Sequence, residues 1–126
     1  DSTTLDFIYR LKTGALLEAA FMMGAALGGA SEAEISCAEQ IGRAVGLAFQ
    51  IQDDILDETA TEAELGKPLH SDEKNQKTTY VSLFGLEAAR EAVRQQSEAA
   101  EQRLREFPGE TETLAALIAY LTDRRF

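Results

Sequence analysis

The chain has 126 residues, of which 22 are acidic and 12 basic, for a formal net charge of -10. That length accommodates one domain at most, and the 44% hydrophobic share excludes a wholly disordered chain. The charge excludes nucleic acid as a general partner, because phosphate recognition needs a basic footprint. An anion site in such a chain must be assembled from a few locally placed cations or a metal.

Strand signals are nearly missing. Alternation never persists, and β-branched residues stand singly, so the chain reads as all-α, a bundle of about five helices. The first is expected from about Thr4 to Gly28, with Gly14 and Gly24 as weak points inside it. Its apolar stretch, Ala19 to Leu27, falls far short of the roughly 20 residues of a membrane span, and Met22 and Met23 read as core filler. Ser31 followed by Glu34 is a capping box, which starts a second helix running to about Glu58. Within it Gly42 and Gly46, four apart, suit a close helix crossing. Thr59 to Gln76, with Gly66, Pro68, Ser71, Asp72 and Asn75, reads as a loop, and its length hints at a functional segment. A short helix, Thr78 to Phe84, precedes Gly85, and a longer one from about Leu86 to Glu106 ends at Phe107-Pro108-Gly109. The last, Glu112 to Arg125, carries an apolar stripe of Leu114, Leu117, Ile118 and Leu121.

Cys37 is alone, so there is no disulfide framework, and a reducing, cytoplasmic compartment is expected. With no nearby basic group expected to lower its pKa, it reads as a small buried hydrophobe. The chain opens on Asp1 rather than Met and shows no charged-then-apolar leader, which leads us to expect a piece of a longer protein or a processed product.

The chemistry is concentrated in Phe49-Gln50-Ile51-Gln52-Asp53-Asp54-Ile55-Leu56-Asp57. On a helix, Phe49, Asp53 and Asp57 share one face, while Gln50 and Asp54 form a second row about 100° away. Leu47, Ile51 and Ile55 point into the core. Three carboxylates then converge at a helix C-terminus, the negative end of the macrodipole, where anions are penalised. A cation should compensate, and clustered hard oxygens suit Mg²⁺, which takes one or two carboxylates together with substrate phosphates. The plain alternative is an acidic surface patch, but a patch has no need of flanking glutamines or of an aromatic residue one turn earlier.

Lysines flank this helix. Lys12-Thr13-Gly14 sits in the first helix, Gly66-Lys67 and Lys77-Thr78-Thr79-Tyr80 border the loop, and Lys74 lies within it. Lysine serves phosphate as a point charge, and a loop can bring it over a ligand and exclude water. The simpler account of Lys12 is a helix-surface lysine, and of Lys67, Lys74 and Lys77 it is charge balance in an acidic chain. His70 has no partner pattern for a metal or a nucleophile relay and reads as a surface residue.

Together these motifs resemble the polyprenyl synthetase family, which includes farnesyl and geranylgeranyl diphosphate synthases. Lys12-Thr13-Gly14, Gly46 through Asp57, Gly66-Lys67 with Ser71-Asp72, and Lys77-Thr78-Thr79-Tyr80 occur in the family's order, and Gly85-Leu86-Glu87-Ala88-Ala89-Arg90 resembles the start of its next helix. The resemblance implies residues 1–126 as the C-terminal half of an all-helical isoprenoid synthase fold. It further implies a Mg²⁺-dependent prenyltransferase of isoprenoid biosynthesis, which joins an allylic diphosphate to isopentenyl diphosphate. By that resemblance Asp53 is the main metal ligand, with Asp54 and Asp57 supporting it. Lys12 and Lys67 grip the allylic diphosphate, with Lys77 close by. Thr13 and Gln50 offer oxygens to the developing cation, and Phe49 lines the homoallylic side. His70 stands where the family more often has glycine, and the family's first aspartate-rich motif has no equivalent here. Half an active site, inactive alone, is therefore expected, from a protein that is a homodimer at full length. Self-association of this piece is also expected, through apolar faces of the first and second helices. The alternatives are a non-catalytic regulatory subunit and a helical interaction domain.

Overall fold

The computed structural model describes residues 1–9, 11, 14–59, 78–107 and 111–123. Every regular element among them is a helix: α1 Ser2–Tyr9, α2 Ala15–Leu27, α3 Glu32–Thr59, α4 Tyr80–Phe84, α5 Leu86–Leu104 and α6 Glu112–Thr122. The all-α class expected from the pattern is what the chain adopts.

The bundle is organised on α3, whose 28 residues span about 42 Å at ~1.5 Å per residue. Its start is the capping box read from the sequence. The Glu34 N–H donates to Ser31 Oγ at 3.2 Å, and the Ser31 N–H donates to Glu34 Oε1 at 2.8 Å. Those bonds favour the charged carboxylate and hold the Glu34 pKa below the ordinary glutamate value. Along α3, Ile41, Ala44, Val45, Ala48, Ile51 and Ile55 recur at helical spacing and are all buried.

Two packed clusters divide that stripe. Ile41, Ala44 and Val45 meet Ala100 and Leu104 of α5 and Ile118 of α6. Ala48, Ile51 and Ile55 meet Leu5 and Tyr9 of α1 and Ala89 and Val93 of α5. The start of α5 thus lies beside the end of α3, so the two run antiparallel. Each fully buried Ile or Val contributes about 1.5–3 kcal/mol, and Ile41, Val45, Ile51 and Ile118 are the largest such side chains.

The glycine pair sets how closely α3 meets the N-terminal helices. A Cβ on Gly42 would lie 2.7 Å from Glu18 Cα, and one on Gly46 would lie 2.8 Å from Gly14 Cα. Only bare backbone fits at those two crossings, as the spacing predicted. Arg43 reinforces the contact through Glu18 of α2 at 3.0 Å and also pairs with Glu39 of its own helix at 2.9 Å, although surface pairs of this kind contribute about 1 kcal/mol or less.

Several expectations need correction. The single first helix is two elements, α1 and α2, and Leu11 and Gly14 between them have π-helical geometry, the type of bulge that interrupts helices at functional positions. Met22 is half-buried and Met23 is 61% exposed, so this pair does not fill the core. The reason is that α2 faces α3 with Leu17 and Phe21, which turns Leu16, Met23 and Leu27 (90% exposed) the other way. Exposed apolar surface was expected on α3 too, yet none of the exposed large hydrophobic residues lies on it. In α6, Leu117 is exposed while Ile118 is buried and Leu114 and Leu121 are half-buried, so the stripe is narrower than the pattern implied. The expected short helix begins at Tyr80, after the Thr79 cap, rather than at Thr78. Most of the expected Thr59–Gln76 loop, and the end of the last helix at Arg125, lie outside the described residues; Thr59 itself closes α3.

Candidate functional site

The last turns of α3 carry the acidic motif to one end of the bundle. A cavity of about 330 Å³ opens there, lined by Thr4, Leu5, Ile8 and Tyr9 of α1, by Gln50, Asp53 and Asp54 of α3, and by Asp1, Thr78 and Thr79. Gln50, Asp53 and Asp54, drawn from both rows of the helical wheel, thus face one space. Gln50 and Asp54 are buried, and Asp53 is half-buried.

Asp57 does not join them. It is buried, with 5% exposure, but is absent from the cavity wall. Among the described residues, no three acidic, histidine or cysteine side chains come together closely enough to hold a metal by themselves. Asp53 and Asp54 thus share a cavity wall on which Asp57 is not found. Asp57 sits one helical turn beyond Asp53, about 5.4 Å further along the axis. Phe49 is half-buried and likewise not part of the wall. Lys12, Thr13, Lys67 and Lys77 lie outside the described residues.

Burying a carboxylate at 7% exposure requires hydrogen-bond partners. Asp54 Oδ2 accepts a hydrogen bond from the Tyr9 hydroxyl and a second, at 3.2 Å, from the Tyr80 N–H. The same N–H approaches the Tyr9 hydroxyl oxygen at 3.4 Å. Tyr80 is the first residue of α4, which is capped by Thr79: the Ser82 N–H donates to Thr79 Oγ1 at 3.0 Å, and the Thr79 N–H donates to Ser82 Oγ at 2.8 Å. Three helices thus meet at one carboxylate oxygen. Hydrogen bonds to a charged group contribute about 1.5–3 kcal/mol each.

Sequence reading missed Tyr9 and Thr79 as site residues. A signal for Tyr9 existed: Leu5 and Tyr9, four apart, form the buried face of α1, and a tyrosine on a buried face needs a partner for its hydroxyl.

At the other end of the bundle, Cys37 is half-buried. Its thiol approaches the Arg103 carbonyl oxygen at 3.6 Å and Glu106 Oε2 at 3.9 Å. Desolvation, then the negative charge of Glu106, push its pKa up, against a smaller opposing effect of Arg103. The expected buried setting is thus corrected to a half-buried one with Arg103 nearby, while the raised pKa disfavours the thiolate, the nucleophilic form.

Fold and site together define an all-helical protein whose central helix ends in carboxylates facing a cavity with both polar and apolar walls. The model of the family described as Polyprenyl synthetase matches residues 2–121, and this chain belongs to that family. It is 46% identical over 121 residues to geranylgeranyl pyrophosphate synthase 12, chloroplastic, of Arabidopsis thaliana, covering 95% of this chain and 34% of the relative. It is 42% identical over 121 residues to the heterodimeric geranylgeranyl pyrophosphate synthase large subunit 2 of the same plant, covering 95% and 32%. It is 44% identical over 124 residues to a dimethylallyltranstransferase of Fischerella ambigua (strain UTEX 1903), covering 98% and 36%. The chain thus spans about a third of the length of these relatives. Among the described residues no helix is long and apolar enough to cross a membrane.

Proposed function

We propose that this chain carries the second aspartate motif of a Mg²⁺-dependent prenyltransferase, which extends an allylic diphosphate with isopentenyl diphosphate. The observation that carries the reading is the cavity at the end of α3, where Asp53 and Asp54 stand together beside Gln50. Family membership supports it, as do the relatives' names.

The donor set fits magnesium in the manner that ion prefers. Two carboxylates at an open cavity leave room for waters and phosphate oxygens, whereas a closed cage of protein ligands would not. Asp53 is the main ligand in this reading, with Asp54 and Asp57 supporting it. When bound, magnesium would offset the negative charge gathered on a departing diphosphate. Lys12 and Lys67 grip that diphosphate, with Lys77 beside them, and their point charges act in the same direction. Gln50 and Thr13 present oxygens toward the allylic cation, and the buried setting of Gln50 keeps its amide from turning to bulk water. Apolar walls such as Leu5 and Ile8 exclude the water that would quench the cation. Phe49, half-buried outside the described cavity wall, is assigned to the homoallylic side.

The first aspartate motif that this chemistry requires has no counterpart in residues 1–126. We therefore expect the isolated chain to release no diphosphate from isopentenyl and dimethylallyl diphosphates in magnesium buffer. Steady turnover in a coupled phosphate assay would contradict the half-site reading. The exposed face of Leu16, Met23 and Leu27 is an apolar patch of the kind that seeks cover, so concentration-dependent association by light scattering is the expected companion result. A homodimer at full length follows from the same reading, and the one cysteine supports a reducing, cytoplasmic location. A non-catalytic subunit is the alternative, and the name of the heterodimeric large-subunit relative makes it the reading to test against. It would show no magnesium-dependent diphosphate binding.

A further inference from the structure

We propose that Tyr9 is a positioning residue for the acidic turn, acting through Asp54. The inference rests on the diphosphate-site reading and divides labour within it: Asp54 anchors the turn while Asp53 meets the ligand.

Two donors to Asp54 among the described residues come from far along the chain. Tyr9 is 45 residues before it and the Tyr80 N–H is 26 residues after it, and both reach the same oxygen, Oδ2. A carboxylate held from two directions has a fixed rotamer, and its helix cannot rotate about its axis without breaking both bonds. Asp53 is the adjacent residue and Gln50 lies one turn earlier, so the aim of both into the cavity is set by the same clamp. The clamp also fixes the N-terminus of α4, which directly follows Lys77-Thr78-Thr79 in the sequence.

The ring and the hydroxyl of Tyr9 have separable tasks. The ring packs in the cluster with Leu5, Ala48, Ile51 and Ile55, and only the hydroxyl reaches Asp54. Tyr9→Phe keeps the first contact and removes the second.

Two readouts test the proposal on the 126-residue chain. The first is hydrogen exchange of the Tyr80 amide without metal, which should accelerate in Tyr9→Phe while amides in the middle of α3 keep their protection. Unchanged exchange at Tyr80 would overturn the clamp. The second is calorimetric titration of methylenediphosphonate in magnesium. Tyr9→Phe should weaken binding roughly tenfold, the scale of one hydrogen bond to a charged group, when titrated well below its thermal midpoint, which should fall by several degrees. Wild-type affinity in Tyr9→Phe would make Tyr9 a structural residue alone and overturn the positioning role. Asp54→Asn keeps a side-chain oxygen and should weaken binding less than Asp53→Asn; an equal or larger loss would overturn the division of labour. If the wild-type chain binds no analogue in magnesium, the proposed function fails and the positioning role fails with it, while the exchange readout still decides the clamp independently.

Discussion

A Gly46→Ala chain is expected to be less stable than the wild type by about 1–2 kcal/mol and to hold a diphosphate less tightly. In an ordinary helix position the change would help by about 0.5–1 kcal/mol, because alanine has less backbone entropy to lose. Here the new methyl would stand 2.8 Å from Gly14 Cα. The obstacle is backbone, which cannot swing away as a side-chain tip can, so the helices must separate, at about 1–3 kcal/mol for overpacking. Gly14 closes the Lys12-Thr13-Gly14 triplet, so that separation also moves the triplet's anchor off the acidic helix. Gly24→Ala is the matched comparison, since a Cβ there meets nothing within 4 Å, and it should leave stability unchanged or raise it. Thermal unfolding of both variants checks the account. A Gly46→Ala midpoint at or above that of Gly24→Ala would show that the crossing is not tight.

Asp53→Ala carries the larger functional effect. Loss of a residue that merely supports a metal ligand weakens binding by about 10–100-fold, and loss of the principal ligand should exceed that and leave no measurable magnesium-dependent binding. Any change in stability is a separate effect: Asp53 stands next to Asp54 and four residues before Asp57 near the negative end of a helix dipole, where like charges repel by roughly a few tenths of a kcal/mol per pair. Denaturant unfolding and calorimetry on one preparation separate the two effects. A variant that binds as the wild type does would remove Asp53 from the site.

Local chemistry was legible in the sequence wherever it lay within one helix. Ser31 and Glu34 announced the start of α3, the Gly42–Gly46 spacing announced a close crossing, and the pairing of Gln50 with Asp54 followed from 100° per residue. Contacts made across the bundle were not legible. Nothing in a window around Asp54 indicates that its oxygen accepts hydrogen bonds from Tyr9 and from the Tyr80 N–H, 71 residues apart from each other. The same limit explains Met23 and Leu117. Periodicity marks which residues are apolar, but neighbouring helices decide which part of a wide apolar arc is covered. For α2 the covered part is the Leu17–Phe21 side. The wheel puts Asp57 on the Asp53 side of α3, but a wheel carries no information on where a cavity wall ends, and Asp57 is not on the wall that holds Asp53.

The most direct test of the account is a calorimetric titration of methylenediphosphonate into the wild-type chain, run once in magnesium and once in EDTA. The half-site reading predicts weak, saturable binding in magnesium that disappears in EDTA. Equal binding in both buffers, or none in either, would contradict it.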